Sequence, residues 1–182
     1  LYAKLTEGPS LDIARGLWKV SIPLKIKNFL WQMFHDHLPS CNNIAKQNGS
    51  SDGTCVMCGA HEDANHIFFN CHLARFAWSA VREAFDQNWN PPSGSDLHDI
   101  LLAHRGGFGR VLWSCVGALL WALWTTRNKI TIEHKFPPHP ADIIFKCHLF
   151  LHTWMPLGKR RDAERMQEAM ERIRLIQIAA RH

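Results

Sequence analysis

One tyrosine, at position 2, stands beside eight tryptophans and ten phenylalanines in a chain of 182 residues. Long apolar runs are missing too. The most apolar stretch, Val111 to Trp124, covers 14 residues between Arg110 and Arg127. A membrane span needs about 20, and shorter runs are more often buried core helices. No signal-peptide pattern is visible, and position 1 is Leu, which reads as a processed chain or a fragment. There is no apolar–polar alternation of the kind that marks strands, no internal repeat and no low-complexity tract. Nor is there a recognisable nucleophile–base pair. His35, Asp36 and His37 are neighbours without a partner of that kind, and Cys115 lies in an apolar run where an inert thiol is expected. These absences leave a membrane protein, a sheet-built domain and an enzyme without support.

What is present is ordinary in bulk and uneven in distribution. With 46% hydrophobic and 20% charged residues, the chain suits one core-burying domain, alone or with a small appendage. The net charge of +5 and pI near 9.0 invite a nucleic-acid reading. Divided along the chain, however, the charge is +2 over residues 1–54, zero over 55–158 and +3 over 159–182. The basic character therefore lies at the two ends. A strong electrostatic footprint needs clustering on one face, and only the last segment approaches it.

Helix signals punctuate the sequence throughout. Pro23 suits a first helical position, and Ile26, Phe29, Leu30, Met33 and Phe34 follow at a period near 3.6, up to Pro39. Ser40 can cap a short helix stopping at Gly49. Asp63 is a plausible cap for a helix through His66 to Cys71 that continues towards Phe85. Ser95 opens another, ending at Gly106-Gly107. Gly109 to His134 reads as one long buried helix, broken by Pro137, Pro138 and Pro140. Ala141 to Trp154 is helical again. The tail from Asp162 to Arg181 is amphipathic, with Ala163, Met166, Met170, Ile173 and Ile176 at spacings of three and four. The expected fold is all-α, with a zinc-stapled loop and a C-terminal amphipathic helix. Three regions are expected: a zinc-binding helical region at 15–90, an apolar helical region at 95–158 packing on it, and the tail helix at 159–182.

The strongest chemical signal is Cys55, Cys58, His66 and Cys71, in the pattern C-x2-C-x7-H-x4-C. Two cysteines two residues apart on a tight turn offer adjacent thiolates, and a His and a Cys at a helix start can close a tetrahedron. Four such donors with no open position suit structural zinc. Gly59 fits a turn that leaves room for sulfur. His61, His72 and Cys41 lie near enough to substitute, but read better as surface or supporting residues. His61-Glu62 is no metalloprotease motif, because the next His is at 66 rather than 65. The metal-like spacing favours a reducing, intracellular compartment, nuclear or cytoplasmic, over a disulfide framework.

These residues resemble the zinc-binding domain that follows the reverse transcriptase in plant LINE-type (non-LTR) retrotransposons. The likeness runs from Trp18 and Ile22-Pro23-Leu24-Lys25-Ile26-Lys27-Asn28-Phe29-Leu30-Trp31 through His37-Leu38-Pro39-Ser40 into the C-x2-C-G motif. It takes in Glu62, His66 to Phe69, Cys71 and Trp78, and returns at Leu120-Trp121-Ala122-Leu123-Trp124-Thr125-Thr126-Arg127-Asn128. It spans roughly residues 15–135. Ser40 replaces the usual Thr. The family's polymerase needs a Tyr beside paired Asp, and Tyr2 is the only Tyr here. The resemblance therefore implies a non-catalytic, retrotransposon-derived zinc protein with a nucleic-acid accessory role.

Under that implication the partner is RNA or DNA, with Phe68 and Phe69 as candidate base-stacking residues and Lys25 and Lys27 as candidate phosphate contacts. Core packing beside the metal competes for the two phenylalanines. The alternative is a protein–protein interaction module, in which residues 159–182 meet a partner helix or a second copy. No membrane is expected as a partner.

Overall fold

The structure is a computed structural model that describes residues 16–47, 49 and 51–181. Tyr2 and residue 15, where the first expected region begins, lie outside them. The described residues contain no strand, and a lone bridge pairs Thr54 with His61. The all-α expectation is met.

Helix α1 is Leu24–Phe34, starting one residue after Pro23 and turning Ile26, Phe29, Leu30 and Met33 inward. It stops at Phe34, before Pro39, because Asp36 takes a left-handed φ of 52°. Helix α2, Cys41–Lys46, is capped as expected: the Ser40 hydroxyl accepts the Asn43 N–H at 3.2 Å. Helix α3 is His72–Phe85 and α4 is Gly94–Ala103, the latter capped by Ser93 rather than Ser95. Gly109 lets α4 turn into the next helix, since a Cβ there would lie 2.2 Å from the His104 carbonyl oxygen.

Helix α5, Gly106–Glu133, is the 28-residue centre of the molecule. Helix α6 is Asp142–Trp154, and the tail helix α7 is Ala163–Ala179, reached through a short 3-10 turn at Arg160–Asp162. By length and apolar composition α5 could cross a membrane, but 72% of its most apolar window is buried within the fold. It is the core helix that the Val111–Trp124 run predicts. Helices α1, α3, α4, α6 and α7 all pack against it.

The tail docks on its own chain. Ala169, Met170 and Ile173 are buried against α3 and α6, with Met166 and Ile176 packed on the same core. A bidentate ion pair holds the turn before it: Arg110 on α5 donates Nε and Nη2 to the Asp162 carboxylate at 2.6 and 2.7 Å. Residues of all three expected regions share one contiguous apolar cluster.

Candidate metal centre

The segment from Gly53 to Glu62 folds into a small knuckle. Cys55 N–H donates to Ala60 O and Gly59 N–H to Cys55 O, each at 2.8 Å, while Glu62 N–H closes the base on Gly53 O at 2.9 Å. Gly59 has φ 71°, the left-handed region that favours glycine. Nothing lies within 4 Å of where its Cβ would be. Backbone handedness, not room for sulfur, is what requires glycine there.

The other two candidate ligands come from a second local device. Asp63 accepts the His66 N–H at 2.7 Å, as expected of a cap. The chain then winds a π-turn over His66–Asn70, closed by Cys71 N–H donating to His66 O at 2.8 Å. Cys71 itself is extended, so the helix expected to continue to Phe85 is broken, and α3 starts afresh at His72. On an α-helix, positions five apart face different ways. The wider turn, bonded from i to i+5, brings both to one side.

The structure gathers Cys55, Cys58, His66 and Cys71 so that their donor atoms all lie within 4.8 Å of one another. Cys58 Sγ is 3.3 Å from His66 Nε2. Sulfurs on a tetrahedral zinc at about 2.3 Å stand roughly 3.8 Å apart, so the cluster is close to the size the metal demands. The hydrogen bond between the Cys55 and Cys71 thiols, helped by burial, pushes Cys55 up to about 12, and the same bond, acting against burial, holds Cys71 down to about 7. Bound zinc would supply a tetrahedral crosslink between the knuckle and the π-turn. His61 and His72 are exposed and outside the cluster.

Two buried devices fasten this centre to the helices. Phe68 and Phe69, inside the π-turn, point into the core and are 0% and 5% exposed. Phe68 meets Phe29 edge-on at 5.8 Å and Trp124 at 6.2 Å, while Phe69 stacks on Trp78 at 6.0 Å. Trp78 Nε1 also donates to Phe68 O at 2.8 Å. Their expected role in stacking bases is therefore corrected: neither ring has an open face, because the metal loop needs both as its hydrophobic anchor.

The second device is an ion pair. Glu62 is 1% exposed, and its Oε1 accepts Nε and Nη2 of Arg127 at 3.1 and 2.5 Å. The same oxygen accepts the Cys41 N–H at 3.0 Å, and Arg127 Nη2 reaches Cys41 Sγ at 3.1 Å. Burial pushes the Glu62 carboxyl up, but the bonds from Arg127 and Cys41 outweigh it and hold it below its ordinary value. Cys41 is thus engaged by the pair and is no ligand of the cluster. Glu62 and Arg127 are 65 residues apart in sequence. Each carries part of the resemblance, yet no local pattern announces that they meet.

Of the candidate phosphate contacts, Lys25 is exposed with Nζ 5.7 Å from the Trp121 ring. Lys27 is less exposed: it donates to Trp18 O at 3.2 Å and lies 5.5 Å over the Trp18 ring.

No curated protein and no solved structure matches the chain. Residues 1–78 match the family model described as zinc-binding in reverse transcriptase, a stretch that ends well before Arg127. That stretch carries all four thiolate and imidazole donors, and it is similar to the zinc-binding regions associated with reverse transcriptases.

Proposed function

We propose that Cys55, Cys58, His66 and Cys71 together hold one structural zinc ion. The zinc-stapled body then acts beside nucleic acid as a non-catalytic accessory derived from a LINE-type retrotransposon. The observation that carries this reading is the convergence of four donors on a stretch matching a family described as zinc-binding in reverse transcriptase. The donor set leaves no open coordination position, which suits scaffolding and not hydrolysis. Free thiols at every cysteine fit a reducing, intracellular setting. The exposed Lys25 on α1 supports contact with a phosphate backbone.

Affinity for RNA or DNA, measured at low ionic strength and then across a salt titration, tests the accessory role. It should fall steeply with salt, and Lys25→Gln with Lys27→Gln should weaken it and flatten the slope by about two phosphate contacts. Absence of salt-sensitive binding would contradict the proposal.

A second reading places a protein partner on the tail. Its predicted apolar stripe is taken up by the chain's own α3 and α6, so that face is not free for another helix. What favours a partner is the outer side of α7, where Leu175 and Ile178 stay exposed. Charging both in the full chain should then change the mass in solution; an unchanged mass would count against it.

A further inference from the structure

Among the eight tryptophans, Trp18 and Trp31 are the two that are exposed, at 50% and 37%. Both belong to the same surface. Lys27, Trp31 and His35 recur at intervals of four along one face of α1 and its C-cap, and Lys27 reaches back to Trp18. The row covers about 12 Å of helix at the α-helical rise.

Each ring is braced by a neighbour while its residue stays exposed. His35 stacks on Trp31 with centroids 4.4 Å apart and planes at 27°, and its Nδ1 is pinned 2.7 Å from the Trp31 carbonyl oxygen. His37 braces the same ring edge-on at 5.7 Å. On Trp18 the brace is the Lys27 ammonium, 5.5 Å from the ring and bonded to the Trp18 carbonyl. Two exposed rings are thereby held in place before any ligand arrives, which reduces the ordering that binding would cost.

The company these rings keep selects the ligand. Lys27, His35 and His37 line the row. The Asp36 carboxylate, between His35 and His37 in sequence, is turned towards α2, where it accepts Asn43 Nδ2 at 3.3 Å. Aromatic rings beside a lysine ammonium and imidazole rings match unstacked bases joined by phosphates. Bases already paired in a duplex offer no free face.

We infer that Trp18 and Trp31, braced by Lys27, His35 and His37, form a stacking platform for single-stranded nucleic acid. This inference rests on the accessory reading above and gives it a surface, in place of the buried Phe68 and Phe69. Base–aromatic stacking implies a loss of about tenfold in affinity for each tryptophan removed.

The test uses the full zinc-loaded chain with fluorescently labelled oligo(U) and oligo(dT) of about 12 nucleotides, and with a duplex of the same length. Wild-type protein should bind the single strands more tightly than the duplex, and its tryptophan fluorescence should change on saturation. Trp18→Ala combined with Trp31→Ala should lose about a hundredfold while keeping zinc and helix content, and Trp31→Phe should retain most of the affinity. Unchanged fluorescence in the wild type, equal affinity for duplex, or a folded double variant binding within about twofold would overturn the platform. In those three cases the accessory reading survives, since nucleic acid is still bound. A wild type that binds no nucleic acid at low salt overturns both.

Discussion

At the scale of single residues, the Glu62–Arg127 pair joins the metal loop to the central helix. Both side chains are nearly out of water, Arg127 being 11% exposed. Removing one partner leaves the other charged and buried, at a cost of about 3–5 kcal/mol. Arg127→Met should therefore lower stability by about 3 kcal/mol in urea unfolding, and Glu62→Leu in the same chain should recover part of the loss. A loss in Arg127→Met within about 0.5 kcal/mol, the range of ordinary surface changes, would remove the pair from the account. The pair also gives a pH dependence with a definite sign. The Glu62 carboxyl is held below 4.5 in the fold, so its stabilisation is complete above that value and is lost as pH falls through the lowered one. Asp162, held below 3.8 chiefly by its bonds from Arg110, acts in the same direction at the foot of the tail.

At the scale of elements, α7 behaves as part of the core. Ile173 is 1% exposed and Met170 6%. Ile173→Ala should cost about 2–5 kcal/mol and open the tail to protease; a variant as stable and as protected as wild type would show that the helix is merely laid on the surface. Helices were legible in the sequence because one apolar face is repeated over several turns in α1 and α7, and because α5 is an apolar run buried nearly all round. The π-turn was not. His66 to Cys71 carries a helical composition, and only the capture of both ligands on one side, with Phe68 and Phe69 driven inward between them, makes the wider turn the better solution. The two phenylalanines show the same limit. Sequence marks them as aromatic and next to a metal, whereas their burial depends on Phe29, Trp78 and Trp124 arriving from distant segments. Trp31 and His35 could have been paired from their i,i+4 spacing alone.

At the scale of the whole molecule, the described residues are built around α5, and the metal knuckle is clamped to that helix instead of hanging from it. Zinc ligation, the Phe68 anchor and the Glu62–Arg127 pair act on one short segment. The ligand spacing was readable because thiolate and imidazole donors are rare enough for their pattern to stand out. The clamp was not, since it joins residues 65 positions apart. The central claim is that one zinc ion on Cys55, Cys58, His66 and Cys71 fastens this segment. Cys58 is exposed, so Cys58→Ser removes a donor without opening a cavity in the core. The most direct measurement is elemental analysis of purified wild-type and Cys58→Ser protein, with circular dichroism on the same samples. The account predicts about one zinc per wild-type chain, and a variant that has lost both the metal and part of its helix signal. A wild-type chain that is fully folded without metal would contradict it.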